Sequence, residues 1–364
     1  MTYLCLTMSE FRNYSPYKRA VGTGEGLAEL GHDVYIVALD CEENRKRLEI
    51  EAPHCRPIWY QKGVVSEVVT KLRSIWKIRP DVVLDPSVYS IRNLAFLRFL
   101  FPRKTKVVVE FSELYSVYSV RMVDRLKWWV LETVASIENR YILCASQYLK
   151  QVLVQRCRKI RLSRSIIYSP YAFPKYLRAN YKGDADQLHV VYMGAITYGY
   201  GFQCLLDAIL EIVTLRNDVC LDVLGRGPDM RSAQKWCEEH RMSNRINFYG
   251  YVAEDELNEH LSRADVFVLP LHDTVHDKAR CPSKIFYYLP YSKPIVTCAV
   301  GNPYDILGES GFYYEPTNAS SMAQTIMKAL TASKNFSYPS GLLNANTWDS
   351  RARQMDVWMR EGLK

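Results

Sequence analysis

Arg280, Ser283 and Lys284 stand together in the run Arg280-Cys281-Pro282-Ser283-Lys284-Ile285-Phe286-Tyr287-Tyr288-Leu289-Pro290-Tyr291-Ser292-Lys293-Pro294-Ile295-Val296. The run reads as a loop feeding a helix that leads straight into a buried strand. A helix N-terminus offers unpaired backbone N–H groups and a positive dipole end. Pro282 and Ser283 are typical helix-start residues, and Lys284 adds a cation within the first turn, so the segment reads as an anion cradle. The alternative is an ordinary βα connection with a capping serine. A second chemical candidate is Phe111-Ser112-Glu113-Leu114, which follows a strand-like run. Glu113 there would position or deprotonate a hydroxyl, or else sit as an acid against the dipole of a following helix.

The elements that must position these residues alternate. Tyr3 to Met8 is a short apolar run fit for a buried parallel strand, a polar loop and a helix pattern follow, and Asp33 to Leu39 reads as a second strand. Strand, loop, helix and strand in this order make a βαβ unit. Further strand-like runs occur at Asp81 to Leu84, Lys106 to Glu110 and Tyr141 to Ala145, separated by helical patterns. Such alternation implies a parallel sheet covered on both faces, with ligands at the carboxyl ends of its strands. Those ends carry Asp85-Pro86-Ser87, the Glu113 loop and Ser146. Ser169 to Gln187 is polar and proline-bearing, as expected of a linker. The pattern then restarts, with strands at Leu188 to Met193, Cys220 to Leu224, Ile246 to Gly250 and Ala264 to Leu269, and helices between them.

With 364 residues and 48% apolar content, the chain has room for two domains of about 150 residues each. No apolar run is long enough to span a bilayer, and Met1 to Thr7 lacks a signal-peptide pattern, so a cytosolic protein is expected. The ten cysteines are scattered without C-x-x-C spacing, which argues against a zinc ribbon or a disulfide scaffold and for reduced thiols. The net charge of +8 is uneven: residues 1–185 hold 30 Lys and Arg against 18 Asp and Glu. That basic half suits an acidic partner: anionic lipid, a phosphorylated acceptor or nucleic acid. Arg12, Lys18 and Arg19 would meet phosphate at the first loop or lie as solvated charge. Two stretches, residues 91–104 and 121–130, mix large apolar residues with basic ones and suit the surface of an anionic membrane, or pack on their own sheet. The basic run Arg156 to Arg164 reads as a solvated face or a patch for acceptor phosphate. It lacks the aromatic interleaving of a nucleic-acid module, and no nucleic-acid partner is expected.

The chain resembles the retaining glycosyltransferases of family 4 with the GT-B fold. Pro282-Ser283-Lys284, two apolar residues, an acid-site position at Tyr287, and Lys293-Pro294-Ile295-Val296 match their nucleotide-sugar segment in frame. Leu27 to Val34 is similar to their first βαβ turn, and residues 188–330 follow their nucleotide-binding domain in order and spacing. The resemblance implies an α/β protein of two Rossmann-like domains facing across a cleft. Residues 1–172, completed by a C-terminal helix at 346–364, would bind the acceptor, and residues 186–345 the nucleotide sugar. It places Gly194, Tyr200, Gly201, Arg226, Arg280, Ser283, Lys284, Tyr287 and Asn302 at the donor, and Glu113, Ser112 and Lys284 at the reacting centre. Ser112 stands where the family often has histidine. The usual donor-gripping cations are Ala195 and Tyr200 here, and the usual acid pair is Ala279 and Tyr287. Arg226, Lys278, Arg280 and Lys284 are the cations left to compensate, and base and ribose would be held by stacking or by other residues.

The activity implied is transfer of a sugar from a nucleotide-diphosphate donor to a glycan or lipid-linked acceptor in surface polysaccharide or glycolipid assembly. Retention of configuration is implied, and no cofactor or essential metal, and no Asp-x-Asp motif argues otherwise. The enzyme would sit in the cytosol or on the inner membrane face. The rival is a non-catalytic subunit of the same fold that binds a partner transferase or a lipid-linked glycan, motivated by the changes at Ala195, Tyr200, Ala279 and Tyr287. An NAD-binding oxidoreductase does not fit, because no G-x-G-x-x-G follows the first strand.

Overall fold

The computed structural model describes residues 1–8, 15–89, 92, 94–173 and 187–361. The first loop with Arg12, most of the expected linker, residue 90, and residues 91 and 93 of the first basic-apolar stretch lie outside the described residues. The chain forms two compact units. One comprises Met1–Pro174, Lys278–Cys281 and Asn346–Lys364, the other Lys175–Asp277 and Pro282–Ala345.

The first unit is built on seven parallel strands: β1 Thr2–Leu6, β2 Asp33–Leu39, β3 Arg56–Tyr60, β4 Val82–Asp85, β5 Lys106–Phe111, β6 Tyr141–Cys144 and β7 Ser165–Tyr168, ordered 3-2-1-4-5-6-7. Strands covered on both faces read as continuous apolar runs, and the inner strands are mostly buried, as at Leu4–Leu6 and Val107–Val109. The edge strands β3 and β7 are only partly covered. They lack that signature and are invisible to it. Strand order reverses between β1 and β4, which pair with Tyr3 opposite Val82.

The last helix, Trp348–Glu361, packs on the helix Ser15–Glu29. Gly22 makes the approach possible, since a Cβ there would lie 2.4 Å from the Trp348 ring. His32 and Asp356 pair at 2.9 Å, Lys106 Nζ donates to the Met359 carbonyl at 2.9 Å, and Trp358 Nε1 donates to Ser165 Oγ at 2.7 Å.

Three surface readings are corrected within this unit. Arg19 is not a loop cation: it is buried, ion-paired with Glu110 at 2.9 Å, and lies 4.6 Å over the Tyr171 ring. Arg156 is only partly exposed and is ion-paired with the buried Glu132 at 2.6 Å. Residues 94–101 form two short 3-10 turns rather than an amphipathic helix, with Leu94 and Phe101 buried and Arg98 donating to the Thr105 carbonyl at 2.7 Å.

The second unit holds six parallel strands: β8 Leu188–Met193, β9 Val219–Leu224, β10 Ile246–Gly250, β11 Val266–Leu269, β12 Ile295–Thr297 and β13 Phe312–Tyr313, ordered 10-9-8-11-12-13. Its core joins Val190, Val223 and Val268 of the sheet to Leu205 and Ile209 of the helix Phe202–Leu215 and Ile326 of the helix Ala319–Ala332. The order reverses between β8 and β11, the position at which sheets of this kind leave a crevice for a ligand. All ten cysteines are free thiols.

Candidate functional site

In the second unit the carboxyl ends of β8, β9 and β10 are tied side by side. Gly194 N donates to the Leu224 carbonyl at 2.8 Å, Ile196 N to Arg226 O at 3.1 Å, and Gly225 N to Gly250 O at 2.6 Å. Gly225 adopts φ +146°, and a Cβ there would stand 2.0 Å from the Gly194 carbonyl oxygen. Only glycine lets these two loops touch.

Lys284 lies on this platform. Its Nζ would be 2.5 Å from a Cβ on Gly194, and it sits 4.6 Å from the centre of the Tyr192 ring. The aromatic floor is fixed from both sides: Tyr192 Oη donates to Ala195 O at 2.6 Å, while Tyr288 Oη accepts from Met193 N at 2.8 Å and its ring stacks on Phe267 at 4.3 Å. Arg226, exposed in the turn after β9, runs its guanidinium alongside Gly250, with Nε 3.4 Å from where a Cβ would stand there. Lys284 and Arg226 therefore occupy the same end of the sheet, one at β8 and one at β10. A cation beside backbone glycines at a strand-order reversal is suited to hold an anionic group such as a diphosphate.

Gly201 closes the β8 loop at φ +82° against Pro270, which follows β11. Before it, the Tyr200 ring lies parallel to His276 at 6.0 Å. Asp277 fixes the segment after β11 by accepting from His272 N at 2.9 Å and Thr274 Oγ1 at 3.2 Å.

Other expectations for this unit change. The helix after Lys284 is one turn, Ile285–Tyr288, followed by a 3-10 turn, and no side chain caps it. Ser283 contributes its carbonyl, which accepts from Phe286 N at 3.1 Å. Tyr287 is buried, and Asn302 is buried at the start of the helix Gly301–Leu307, where a loop was expected. Arg280 belongs to the first unit together with Ala279, whose carbonyl accepts from Ser146 Oγ at 2.8 Å.

In the first unit, Ser112 and Glu113 follow β5 in a loop before a single helical turn, Tyr115–Tyr118. Glu113 precedes that turn and is half-buried. Its carboxylate accepts from Tyr118 Oη at 2.6 Å, and its carbonyl accepts from Tyr89 Oη at 2.6 Å. Burial, followed by the Glu113 hydrogen bond, drives the Tyr118 hydroxyl far above its ordinary pKa, so it remains a donor. Behind it, the fully buried Glu132 accepts from Ser116 N at 3.1 Å and from Tyr89 Oη at 3.2 Å, and also binds Ser116 Oγ and Arg156. Tyr89, Tyr115 and Trp128 pack edge-on or tilted around it, with ring centres 4.6 to 5.7 Å apart. Tyr89, Tyr118 and Glu132 were missed in the sequence. They come from three separated segments, and no spacing links them. At the strand-order reversal of this sheet a small cavity is lined by Leu6, Thr23, Asp85, Pro86 and the Arg19–Glu110 pair.

One group of metal-type ligands lies at the amino ends of β8 and β9, opposite Lys284: His189, Cys220 and Asp222. It is already satisfied as a hydrogen-bond network. Asp222 takes His189 Nδ1 at 2.7 Å on one oxygen and Asn247 Nδ2 at 2.9 Å on the other. The bonds to Asp222 and then to Cys220 push His189 up to about 10 against its burial. For Asp222, burial alone would raise the pKa, but the hydrogen bonds from His189 and Asn247 carry it below the ordinary value. Because the folded-state value of His189 exceeds its unfolded value, its contribution is complete below about 6.5 and fades as pH rises towards about 10. The Asp222 contribution fades on the acid side, as pH falls through its depressed value. Thermal midpoints from pH 6 to 10 should therefore fall more steeply for the native chain than for His189→Gln; parallel curves would remove the pair from the stability of this unit.

Residues 187–332 match the family described as glycosyl transferases group 1. The chain is 23% identical over 144 residues to 2-deoxystreptamine N-acetyl-D-glucosaminyltransferase of Niallia circulans, covering 39% of this chain and 36% of that protein. It is 23% identical over 332 residues to an uncharacterized glycosyltransferase of Methanocaldococcus jannaschii, covering 85% of this chain and 83% of that one. In structure it is similar to HepE of Anabaena in complex with UDP and glucose, with TM-score 0.71, 13% identity, and coverage of 99% and 97% of the two chains. The fold is GT-B, with two Rossmann-like domains, and both curated relatives are described as glycosyltransferases.

Proposed function

We propose that this chain of GT-B fold, with its match to the group 1 glycosyl transferases in the second domain, transfers a sugar from a nucleotide-diphosphate sugar to a glycan or lipid-linked acceptor. The observation that carries the reading is the Lys284 ammonium resting on Gly194 where β8 and β9 end, with Arg226 at the same end of the sheet. Breaking the sugar–phosphate bond releases a diphosphate whose charge grows in the transition state. A fixed cation and preorganised backbone N–H groups stabilise that charge without rearranging. In the first domain, Glu113 and Ser112 position the acceptor hydroxyl, with Tyr118 and Tyr89 holding Glu113 in place.

The proposed reaction retains anomeric configuration and requires no metal, which the proton spectrum of the product and turnover in a chelator check. Its setting is surface polysaccharide or glycolipid assembly. HepE was solved with UDP, which makes UDP the first nucleotide to try.

The test is a thermal-shift screen against UDP, GDP, ADP, CDP and their common sugars. A ligand that binds only the native state, at a hundred times its Kd, adds about 2.7 kcal/mol. One nucleotide is expected to raise the midpoint by several degrees. No rise with any of them, from a folded sample, would overturn the assignment of the donor site and favour a non-catalytic subunit.

A further inference from the structure

The helix Met122–Glu138 is inverted relative to an ordinary amphipathic helix. Its buried residues are Glu132, Ala135 and Ser136. Its exposed residues include Met122, Val123, Leu126, Trp129, Val130 and Ile137, and the first three show 83%, 78% and 63% of their surface. At 3.6 residues per turn, positions 122, 126, 129, 130 and 137 form one stripe about 22 Å long. Glu132 and Ser136 face in, where Glu132 meets Arg156 and Ser116, and the apolar residues of the stripe stay exposed among the described residues. A contiguous apolar patch of this kind marks a surface that is covered in use.

Charge identifies what covers it. Arg121, Arg125 and Lys127 are all exposed along the first turns, with Asp124 the one acid among them. The Lys127 ammonium lies 4.7 Å over the Trp128 ring, a cation–π contact at the exposed start of the helix. A second copy docking on the same stripe would bring these three cations against their equivalents. A surface that is apolar beneath and anionic at its rim complements both features. Among the described residues no helix is long and apolar enough to cross a membrane, so the contact is with a surface.

We propose that this helix seats the first domain on a membrane containing anionic lipid. The stripe enters the boundary between headgroups and acyl chains, and Arg121, Arg125 and Lys127 meet the headgroups. The inference rests on the helix alone and does not need the transferase reading, although a lipid-linked acceptor would be presented at the same surface.

The test is flotation of the purified full chain with vesicles of phosphatidylcholine mixed with phosphatidylglycerol, against phosphatidylcholine alone. Binding is expected with the mixed vesicles, at least about tenfold weaker without the anionic lipid, and weakened about fivefold for each cation removed, as in Arg125→Gln. Leu126→Asp should abolish it while leaving the circular dichroism and the nucleotide-induced thermal shift of the native chain. Should that variant fold poorly, quenching of the native chain's tryptophan fluorescence by brominated lipid supplies the same answer. Absence of flotation with the anionic vesicles, or a dimer in light scattering that Leu126→Asp splits, would overturn the proposal.

Discussion

Lys284→Ala is expected to lower turnover on the order of a hundred- to a thousandfold with whichever donor the nucleotide screen identifies, the range found when one preorganised transition-state partner is removed. The basis is position. The ammonium lies between the Tyr192 ring and the Gly194 backbone, at the reversal of strand order, where it needs no rearrangement to meet a leaving diphosphate. A group bound equally in ground and transition states changes KM alone, whereas one engaged as charge develops changes kcat. The loss should therefore fall mainly on kcat, with the nucleotide-induced thermal shift also reduced. Lys284→Met, which keeps the stem on Tyr192, should lose nearly as much. Turnover within twofold of the native chain would exclude Lys284 from the reacting centre.

The second large effect is on stability. Glu132 is fully buried and meets Arg156, Ser116 and Tyr89. Removing one partner of a buried ion pair leaves the other uncompensated, at about 3–5 kcal/mol. Glu132→Ala should therefore lower the melting midpoint of the first domain by roughly 10 °C, at a few degrees per kcal/mol for domains of this size. Glu132→Gln keeps acceptors for Ser116 and Tyr89 and strands only the charge of Arg156, so a smaller drop is expected. Because Tyr89 also holds the Glu113 carbonyl at 2.6 Å, activity should fall in both variants. A midpoint within about two degrees of the native value, measured by calorimetry, would show that the network carries no such energy.

Much of this was readable from the sequence and some was hidden for definite reasons. The inner strands announce themselves because burial on both faces demands unbroken apolar runs. Gly194, Gly201 and Lys284 were singled out by resemblance to the family pattern, and the fold sets the Lys284 ammonium beside Gly194. The edge strands β3 and β7 carry no such demand, and β7 is partly exposed along its whole length. Arg19 and Arg156 read as surface cations because their partners, Glu110 and Glu132, are far along the chain. Only the fold decides whether a basic residue faces water or a buried carboxylate. The helix expected after Ser283 shrank to one turn for a similar reason: Tyr288 is recruited by Phe267 and Met193, and that anchorage outweighs continued helix. The inverted helix at 122–138 was half legible. Its mixture of apolar and basic residues was plain, but not that the polar ones point inward.

The contact of the last helix with the first domain governs how the protein is made. Trp348 fits against Gly22, and Asp356 against His32, so the first domain needs residues from both sides of the second domain's sequence. On a ribosome, its strands β1 to β7 emerge first, but the helix Trp348–Glu361 that covers a face of Ser15–Glu29 emerges only after the second domain. The second domain, whose sequence lies between, has all it needs sooner. Order of folding is thus the reverse of order of emergence. During that interval the apolar groove beside Gly22 is a place for chaperones to hold and for proteases to cut, and truncation of the final helix would leave it open for good.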